Sequence, residues 1–277
     1  MSPTHLQLGD HSWPLGGKTY IMGILNVTPD SFSDGGRYVD LQAALRHAEE
    51  MARDGADIID VGGESTRPGF TPVTVEEELA RVLPVVTRLV RDLGLLVSVD
   101  TSKSSVAGPC LEAGAVMIND VRGLRRDPAI ARLCADAGAA LVVMHDQPVQ
   151  AGPGLMDAVL RDLAESVTAA RRAGLQPAQI VADPGVGFGK DVAGNLQVMR
   201  ELGRLHELGL PTLLGTSRKS TIGRVLDLPV DQRVEGTAAT VALGIAAGMD
   251  IVRVHDVKEI SRVARMTDAI IRGWQPA

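Results

Sequence analysis

The feature that most constrains the fold is a short apolar run that recurs eight times along the chain. The runs are Ile21–Val27, Ile58–Gly62, Leu96–Asp100, Val116–Asn119, Ala140–His145, Ile180–Asp183, Pro211–Gly215 and Ile251–His255. Each is almost continuously apolar, as expected of strands buried on both faces of a parallel sheet. Stretches with helical periodicity separate the runs, so the pattern predicts alternating strands and helices.

A glycine stands shortly before seven of the eight runs and marks the end of the preceding helix. The seven are Gly55, Gly94, Gly114, Gly138, Gly174, Gly209 and Gly248. Glycine readily adopts the left-handed conformation that closes the last turn of a helix. Eight βα units in 277 residues predict an α/β fold, a (β/α)₈ TIM barrel, with an open doubly wound sheet as the alternative. The close spacing of the third and fourth runs predicts a short helix over Ser104–Ala113.

The rest of the chain sets the domain organisation and excludes several classes of protein. Residues 1–20 are expected to form an N-terminal cap over the bottom of the barrel, and residues 21–277 to form the barrel itself. The net charge is −6 with no Lys/Arg-rich run, which argues against nucleic-acid binding, and no apolar stretch is long enough for a membrane span. Cys110 and Cys134 lie in predicted helices without metal-ligand spacing, which fits a cytoplasmic protein.

Polar residues stand at the end of nearly every predicted strand. They are Asn26, Gly62–Gly69, Asp100-Thr101, Asn119-Asp120, His145, Asp183, Gly215–Ser220 and Arg253–Asp256. Any one of them alone is an ordinary cap or turn residue. The carboxyl ends of barrel strands meet at one mouth, however, and active sites lie there. Eight polar strand ends together therefore predict a binding site.

The residue types at this mouth indicate a ligand with two parts. Asp183, with Asp100 and Asn119, offers acceptors for a heterocycle that carries a guanidine-like pair of N–H groups. Lys219 supplies a cation for a ring oxygen or ring nitrogen. Arg253, His255 and Asn26 adjoin because the last and first strands of a closed barrel are neighbours. This second group fits a phosphate with a bound Mg²⁺.

The glycine-rich segment Gly185–Lys190 does not match either familiar phosphate-binding motif. A Walker A loop fails because Pro184 and Asp191 occupy its first glycine and Ser/Thr positions. The Gly-x-Gly-x-Gly spacing after the sixth strand also fails as a dinucleotide fingerprint. The segment is either a plain βα loop or a loop that places Phe188 beside a flat ligand.

A covalent mechanism through a serine is disfavoured. Ser65 and Ser217 have no obvious general base in the sequence, although His145 and His255 could lie near them in space.

Two long segments resemble the signatures of the dihydropteroate synthases. They are Ile24–Gly36, ILNVTPDSFSDGG, and Asp60–Gly69, DVGGESTRPG. Five shorter motifs follow in the family's order: SVDT from Ser98, IND from Ile118, DPGVGFGK from Asp183, GTSRKS from Gly215 and RVHDV from Arg253. The resemblance implies the barrel fold and a transferase of folate biosynthesis. That reaction joins (7,8-dihydropterin-6-yl)methyl diphosphate to p-aminobenzoate and gives 7,8-dihydropteroate and pyrophosphate.

The resemblance also implies a role for each residue of the site. The pterin would be held by Asp100, Asn119, Met144, Asp183, Phe188, Gly215 and Lys219. The diphosphate would be held by Asn26, Thr66, Arg253 and His255, with Asn26 also meeting Mg²⁺, and p-aminobenzoate by Phe32, Arg67, Pro68 and Ser220. The catalytic groups would be Asp34, Arg67, Lys219, Arg253 and His255. Asp34 or Asp30 is the hypothetical stabiliser of positive charge at the pterin methylene, and the loops Thr28–Gly36 and Ser65–Gly69 would close over the site.

Sulfonamides are the inhibitors that the resemblance implies, and a homodimer is the implied assembly, with Thr237–Met249 as a candidate contact.

Three other functions are alternatives to this reaction. A methyltransferase acting on methyltetrahydrofolate would not need the two loops or a diphosphate site. A catalytically inactive pterin-binding paralogue is disfavoured because no polar position of the site is lost, and a phosphosugar enzyme because of the Asp/Asn cluster.

Overall fold

A hairpin and an eight-stranded parallel barrel make up the β-structure of the computed structural model, which describes residues 3–27, 36–64 and 73–274. The hairpin strands are β1 (His5–Leu8) and β2 (His11–Pro14). The barrel strands are β3 (Tyr20–Asn26), β4 (Ile58–Gly62), β5 (Val97–Asp100), β6 (Met117–Asp120), β7 (Ala140–Met144), β8 (Ile180–Asp183), β9 (Leu213–Leu214) and β10 (Ile251–Val254).

The barrel strands pair in chain order, and the sheet closes on itself. The order is β8-β7-β6-β5-β4-β3-β10-β9, and a parallel bridge between Ala182 and Thr212 joins the two ends of this sheet. The prediction of a (β/α)₈ barrel is confirmed, and the open doubly wound sheet is wrong. All eight strands lie at the predicted positions.

The seventh strand is shorter than the predicted Pro211–Gly215. Thr212 lies in the strand path, but its backbone N–H donates to Asp250 Oδ2 at 2.9 Å. That N–H is therefore not available to the sheet ladder, and only Leu213 and Leu214 have strand geometry.

Helices follow the strands and cover the outside of the barrel. They are α1 (Gly36–Asp54), α2 (Val75–Arg91), α3 (Ser104–Glu112), α4 (Ala129–Asp136), α5 (Leu155–Arg172), α6 (Val192–Arg200), α7 (Ser220–Leu226), α8 (Val234–Ala246) and α9 (Val257–Ile271). The predicted short helix is α3. All seven helix-ending glycines have positive φ, for example 110° at Gly55 and 113° at Gly174, as the sequence predicts.

The core has two layers. The larger layer lies between the strands and the helices, and it contains both cysteines, which are buried and unpaired. The smaller layer fills the lower interior of the barrel, where Met22, Met117 and Val181 are fully buried. Leu6 and Leu8 of the hairpin belong to this inner layer. The hairpin thus packs onto the interior of the barrel, while the domain boundary at residue 20 stays a prediction.

The hairpin itself could have been predicted. Gly9, with φ of 58°, and Asp10 stand between two short runs, HLQL and HSWP, and in the first of them apolar residues alternate with polar ones. Trp13 from β2 stacks on Tyr20, with ring centroids 4.1 Å apart, and this contact ties the hairpin to the first barrel strand. Among the residues that the structure describes, no helix is long and apolar enough to cross a membrane.

Candidate active site

The strand register places three of the predicted site residues in one row at the carboxyl end of the barrel. Asn26 pairs with Gly62, Gly62 with Asp100, and Asp100 with Asn119. The mouth therefore carries an amide, a carboxylate and a second amide on the strands β3, β5 and β6. Met144 pairs with Asp183 at the ends of β7 and β8, which adds a second carboxylate and a buried thioether.

Arg253 is held between two carboxylates that come from other strands. Its Nε donates to Asp60 Oδ2 at 2.6 Å, and its Nη2 donates to Asp100 Oδ2 at 2.8 Å. Asp60 is fully buried in β4, and Asn119 also donates its Nδ2 to Asp60 Oδ2, at 2.9 Å. One network thus joins β4, β5, β6 and β10 and holds the guanidinium at two points.

Asp183 and Lys219 form the second charged group of the pocket. Asp183 Oδ1 accepts the backbone N–H of Gly185 at 2.7 Å. A Cβ at Gly215 would lie 3.9 Å from Asp183 Oδ2 and 3.9 Å from the Cβ of Arg253, so Gly215 lies between the two charged groups. The ammonium of Lys219 lies 3.9 Å from the centroid of the Phe188 ring. This cation–π contact brings Phe188 to the pocket.

Burial shifts the pKa values of these groups toward their neutral forms. It raises the pKa of Asp183 to about 6 and lowers the pKa of Lys219 to about 8. Burial also raises the pKa of Asp100, while the nearby charge of Arg253 opposes that rise. A pocket that shifts the pKa values of adjacent acids and bases in this way is typical of a functional site.

The glycine-rich loop after β8 is shaped by close backbone contact. Gly185 has φ of 66°, and a Cβ there would lie 1.8 Å from the carbonyl oxygen of His145, so no other residue fits. Asn195 accepts the backbone N–H of Gly187 at 2.7 Å, and Lys190 Nζ donates to the carbonyl oxygens of Gly185 and Phe188 at 3.0 Å. The glycines allow the backbone of the loop to pack closely, and this loop conformation places Phe188 against Lys219.

His145 belongs to the support of this loop. It follows β7, is fully buried, and its Nδ1 lies 3.0 Å from Lys190 Nζ while its Nε2 lies 3.3 Å from Asp162 Oδ2. Burial lowers the pKa of His145 to about 4, so its ring is neutral at pH 7. His145 therefore contacts Lys190, and Lys190 in turn holds the glycine-rich loop after β8.

His255 follows β10 and is held by Ser217. Ser217 Oγ accepts the backbone N–H of His255 at 3.1 Å and pairs with His255 Nδ1 at 2.9 Å. Of the serines and histidines that a Ser-His mechanism could use, Ser217 and His255 do lie together. Ser217 is buried and uses its hydroxyl to hold both the backbone and the ring of His255, which is a structural use of the pair.

Glu64 and Val73, the described residues on either side of positions 65–72, meet at a buried ion cluster. Lys103 Nζ donates to Glu64 and to the carbonyl oxygen of Val73, each at 2.8 Å, and to Glu78 at 2.5 Å. Glu64 also accepts the backbone N–H of Val73 at 3.0 Å. The cluster therefore ties Glu64, which belongs to the second family signature, to Val73.

Several of the predicted site residues cannot be placed. Asp30, Phe32, Asp34, Thr66, Arg67 and Pro68 lie outside the described residues, as do positions 28–35 of the predicted loop Thr28–Gly36 and all of the predicted loop Ser65–Gly69. Ser220 is described and is exposed at the first position of α7. The described residues that the structure brings together are Asn26, Asp100, Asn119, Met144, Asp183, Phe188, Gly215, Lys219 and Arg253.

Sequence reasoning missed Asp60. The residue is part of the second signature, but the sequence does not reveal that its carboxylate accepts hydrogen bonds from both Arg253 and Asn119. One signal was present: a carboxylate stands in the middle of the apolar run Ile58–Gly62. A fully buried carboxylate needs partners, and its partners had to come from other strands.

The arrangement can bind a flat polar ring and an anion side by side. Asp100, Asn119 and Asp183 offer acceptor oxygens to ring N–H groups, and Lys219 offers a donor. Arg253 has five N–H groups and uses two of them within the protein, so three have no partner among the described residues. Those three suit a phosphate group.

Comparisons with known proteins agree with this chemistry. Residues 22–255 match the family described as pterin binding enzyme. The dihydropteroate synthase of Bacillus subtilis is 54% identical over 92% of this chain and 89% of its own length.

Solved structures agree as well. A dihydropteroate synthase from Xanthomonas albilineans, solved with 4-aminobenzoic acid, superposes with a TM-score of 0.90 at 43% identity and covers 98% of both chains. A Yersinia pestis dihydropteroate synthase in a sulfonamide drug complex has a TM-score of 0.89 at 41% identity and covers 96% of this chain and 98% of its own. The chain therefore belongs to the pterin binding enzyme family and, within it, to the dihydropteroate synthases, transferases of folate biosynthesis.

Proposed function

We propose that the mouth of the barrel is where this chain condenses (7,8-dihydropterin-6-yl)methyl diphosphate with p-aminobenzoate. The observation that carries the proposal is the position of Arg253 between Asp60 and Asp100, beside the pocket of Asp183 and Lys219. A donor for the diphosphate thus stands next to acceptors for the ring. The relatives support the same reaction, since one of them was solved with 4-aminobenzoic acid.

The pterin would lie between the described strand ends. Asp183 would accept the N–H pair of its pyrimidine ring, with Asp100 and Asn119 accepting from the rest of the ring edge. Lys219 would donate to a ring oxygen or nitrogen. Met144 and Phe188 would contact the ring faces, and Gly215 leaves the space between Asp183 and Arg253 free of a side chain.

Departure of the pyrophosphate is the more difficult part of this reaction, and attack by the amine is the easier part. The arylamine nitrogen forms a bond to the pterin methylene carbon, the C–O bond to the diphosphate breaks, and the amine loses one proton to solvent water. An arylamine is uncharged near pH 7 and needs no strong base. The groups that matter are therefore those that hold the departing pyrophosphate, for which we propose Arg253, His255, Asn26 and Thr66.

The roles of the two loops also remain proposals. Phe32, Arg67, Pro68 and Ser220 are proposed to frame p-aminobenzoate. Asp34 is proposed to stabilise positive charge at the pterin methylene. If the Asp34→Asn variant kept the turnover and the pterin affinity of the wild type, Asp34 would have no such role.

Turnover tests the proposed function. Purified protein should release pyrophosphate from the pterin diphosphate only when p-aminobenzoate is present, and 7,8-dihydropteroate should form in equal amount. Binding of the pterin without release would indicate an inactive paralogue. Activity that requires methyltetrahydrofolate and a corrinoid would indicate the methyltransferase.

We expect kcat/KM for the pterin substrate to be highest between about pH 6 and pH 8. Asp183, whose pKa is raised to about 6, is ionised and accepts through both oxygens only above that pH, and the pKa of Asp100 is shifted in the same direction. Lys219, whose pKa is lowered to about 8, is charged only below that pH. A pH–rate profile measures both limbs. In Lys219→Arg the guanidinium stays charged, so the alkaline fall in kcat/KM should shift to higher pH. A wild-type profile that is flat from about pH 5 to 9 would contradict the assignment.

Mg²⁺ is proposed to bind at Asn26 together with the diphosphate, whose charge it would neutralise. The residue type fits the ion: Asn26 Oδ1 is an oxygen donor that lies 3.7 Å from the place that a Cβ on Gly62 would take, so the neighbouring strand places no side chain there. Mg²⁺ commonly takes one or two protein oxygens and completes its shell with water and phosphate.

Calorimetry tests this site without turnover. Pyrophosphate should bind the wild-type protein more tightly with Mg²⁺ than without it, and Asn26→Ala should reduce that difference. An equal Mg²⁺ effect in both proteins would remove Asn26 from the site.

A homodimer is the proposed assembly, through the face formed by α8 and α9. Leu243, Met266 and Ile270 are 64%, 62% and 68% exposed, and exposed apolar patches commonly mark protein interfaces. Sedimentation should give a dimer for the wild-type chain and a monomer for Ile270→Glu. A wild-type monomer would contradict the proposal.

Sulfonamides are proposed as competitive inhibitors against p-aminobenzoate. The support is the Yersinia pestis relative in a sulfonamide drug complex. Inhibition that p-aminobenzoate does not reverse would argue against a shared site.

The cytoplasm is the proposed compartment. Cys110 and Cys134 are buried and unpaired, and burial raises the pKa of each thiol to about 12, so neither is reactive. Unpaired thiols fit a reducing compartment. Cell fractionation measures the location directly.

A further inference from the structure

Asp60 occupies a place in the site that the proposed reaction does not use directly. It lies in the middle of β4, is fully buried, and its Oδ2 accepts from Asn119 on one side and from Arg253 on the other. Each partner lies two strands away around the barrel, Asn119 past β5 and Arg253 past β3. Asp60 is thus the shared acceptor of one proposed ring-binding residue and one proposed diphosphate-binding residue.

Neutralising Arg253 does not require Asp60. Asp100 already accepts from the same guanidinium at 2.8 Å. Burying a second carboxylate costs free energy, and Asp60 Oδ1 has no hydrogen-bond partner among the described residues. A carboxylate that is costly to bury and not needed for charge balance points to a positioning role.

The first consequence concerns Asn119. An amide presents an oxygen on one side and an NH₂ group on the other, and a carboxylate can only accept. Asn119 Nδ2 donates one of its two N–H groups to Asp60, and this bond fixes the amide with its Oδ1 turned away from the carboxylate and available to a ligand. Asp60 therefore makes Asn119 an acceptor, which matches Asp100 and Asp183 in the same pocket.

The second consequence concerns Arg253. Asp60 binds Nε and Asp100 binds Nη2, so the guanidinium is fixed at two points by two different strands. A planar group that is fixed at two points keeps one orientation, and its remaining N–H groups face a ligand without loss of side-chain freedom on binding.

We propose that Asp60 is a positioning residue that sets the hydrogen-bonding polarity of the pocket, with Asn119 held as an acceptor for the pterin edge and Arg253 held as a donor for the diphosphate. The ring part of this proposal rests on the proposed function, because it takes the pterin as the ligand. It predicts that Asp60 determines which ring edges the pocket accepts, although Asp60 need not touch the ring.

Binding of 7,8-dihydropteroate, measured by calorimetry, tests the ring part because this product lacks the diphosphate. Asp60→Leu removes the acceptor at similar size and should weaken binding roughly tenfold to a hundredfold, the range for one lost ionic hydrogen bond. Asp60→Asn keeps one acceptor oxygen and should stay within about threefold of wild type. If Asp60→Leu binds as the wild type does, the proposal is wrong.

A double-mutant cycle separates positioning from general destabilisation. In the Asn119→Ala background Asp60 has no amide to orient, so adding Asp60→Leu should weaken dihydropteroate binding by no more than about threefold. Multiplicative effects of the two changes would overturn the proposal. Asp250→Asn is the matched control: Asp250 supports Thr212 at the opposite end of the barrel, so the change should lower the Tm and leave dihydropteroate binding unaltered.

A variant that leaves Asp60 intact guards against failure of Asp60→Leu to fold. Asn119→Asp still offers an acceptor to the ligand, but it places a second carboxylate against Asp60. Dihydropteroate binding should fall at least about tenfold, since a donor to Asp60 becomes a like charge. Equal or tighter binding would show that Asp60 does not orient residue 119. Should the wild type itself fail to bind dihydropteroate, the proposed function fails, which is a different outcome from wild-type binding that Asp60→Leu leaves unchanged.

Discussion

Asp183→Ala is expected to lower kcat/KM for the pterin substrate by roughly a thousandfold. The carboxylate is buried at the end of β8, with one oxygen on the Gly185 N–H and the other near Gly215, where the proposed ring lies. Removing one partner from a buried charged hydrogen-bonded pair costs about 3–5 kcal/mol, and about 1.4 kcal/mol corresponds to a factor of ten. Steady-state kinetics with varied pterin diphosphate measures the loss.

Asp183→Asn separates ligand binding from support of the glycine-rich loop. The amide oxygen can still accept from Gly185, so the loop should keep its shape, but the NH₂ group opposes the N–H pair of the ring. We therefore expect Asp183→Asn to bind the pterin nearly as poorly as Asp183→Ala. Asp120→Asn is the matched control, because Asp120 is also a buried strand-end aspartate but binds the backbone N–H groups of Arg122 and Leu124. Pterin kinetics of Asp183→Asn close to wild type would contradict the assignment.

Arg253→Ala is expected to reduce kcat by about a hundredfold to a thousandfold, the usual effect of removing one preorganised donor to a developing negative charge. The KM for p-aminobenzoate should change little. Pyrophosphate leaves in the proposed step, and the three N–H groups of Arg253 that are unpartnered in the described residues are its donors. Single-turnover measurement of pyrophosphate release isolates this step. A kcat within tenfold of wild type would assign the leaving group to other residues.

The same change should also lower the thermal stability of the protein. Without the guanidinium, Asp60 and Asp100 would be two buried carboxylates with no cation between them, and their repulsion would raise the pKa of Asp100 further. Arg253→Lys keeps a positive charge but cannot bind Asp60 and Asp100 with the geometry of a guanidinium. Compared with Arg253→Ala, it should therefore regain more of the lost stability than of the lost kcat. Melting temperatures and kcat of the two variants together distinguish lost charge from lost geometry.

The fold could be predicted almost completely from the sequence because its signals are local. Apolar runs mark the strands, and a glycine such as Gly55 or Gly174 stands shortly before seven of the eight runs, with the positive φ that the structure shows. The seventh strand was predicted too long because Asp250, 38 residues away, takes the backbone N–H of Thr212. The hairpin before β3 was missed although Gly9 and Asp10 mark its turn.

The site was predictable where family signatures end strands, and less so where distant residues meet. Asp100, Asn119, Asp183, Lys219 and Arg253 come together as the convergence of strand ends requires. Asp60 contacts Arg253 across 193 positions of sequence, and no local pattern reveals that contact. His145 shows the opposite case, since it is a polar strand end whose ring supports a loop through Lys190.

A crystal structure of the protein with 7,8-dihydropteroate bound tests the central claim most directly. The pterin edge should lie within hydrogen-bonding distance of Asp183, Asn119 and Asp100, with Lys219 donating to the ring and Arg253 beside the carbon that carried the diphosphate. A pterin bound at any other place on the barrel, with Asp183 and Asn119 out of reach, would contradict the assignment of this pocket.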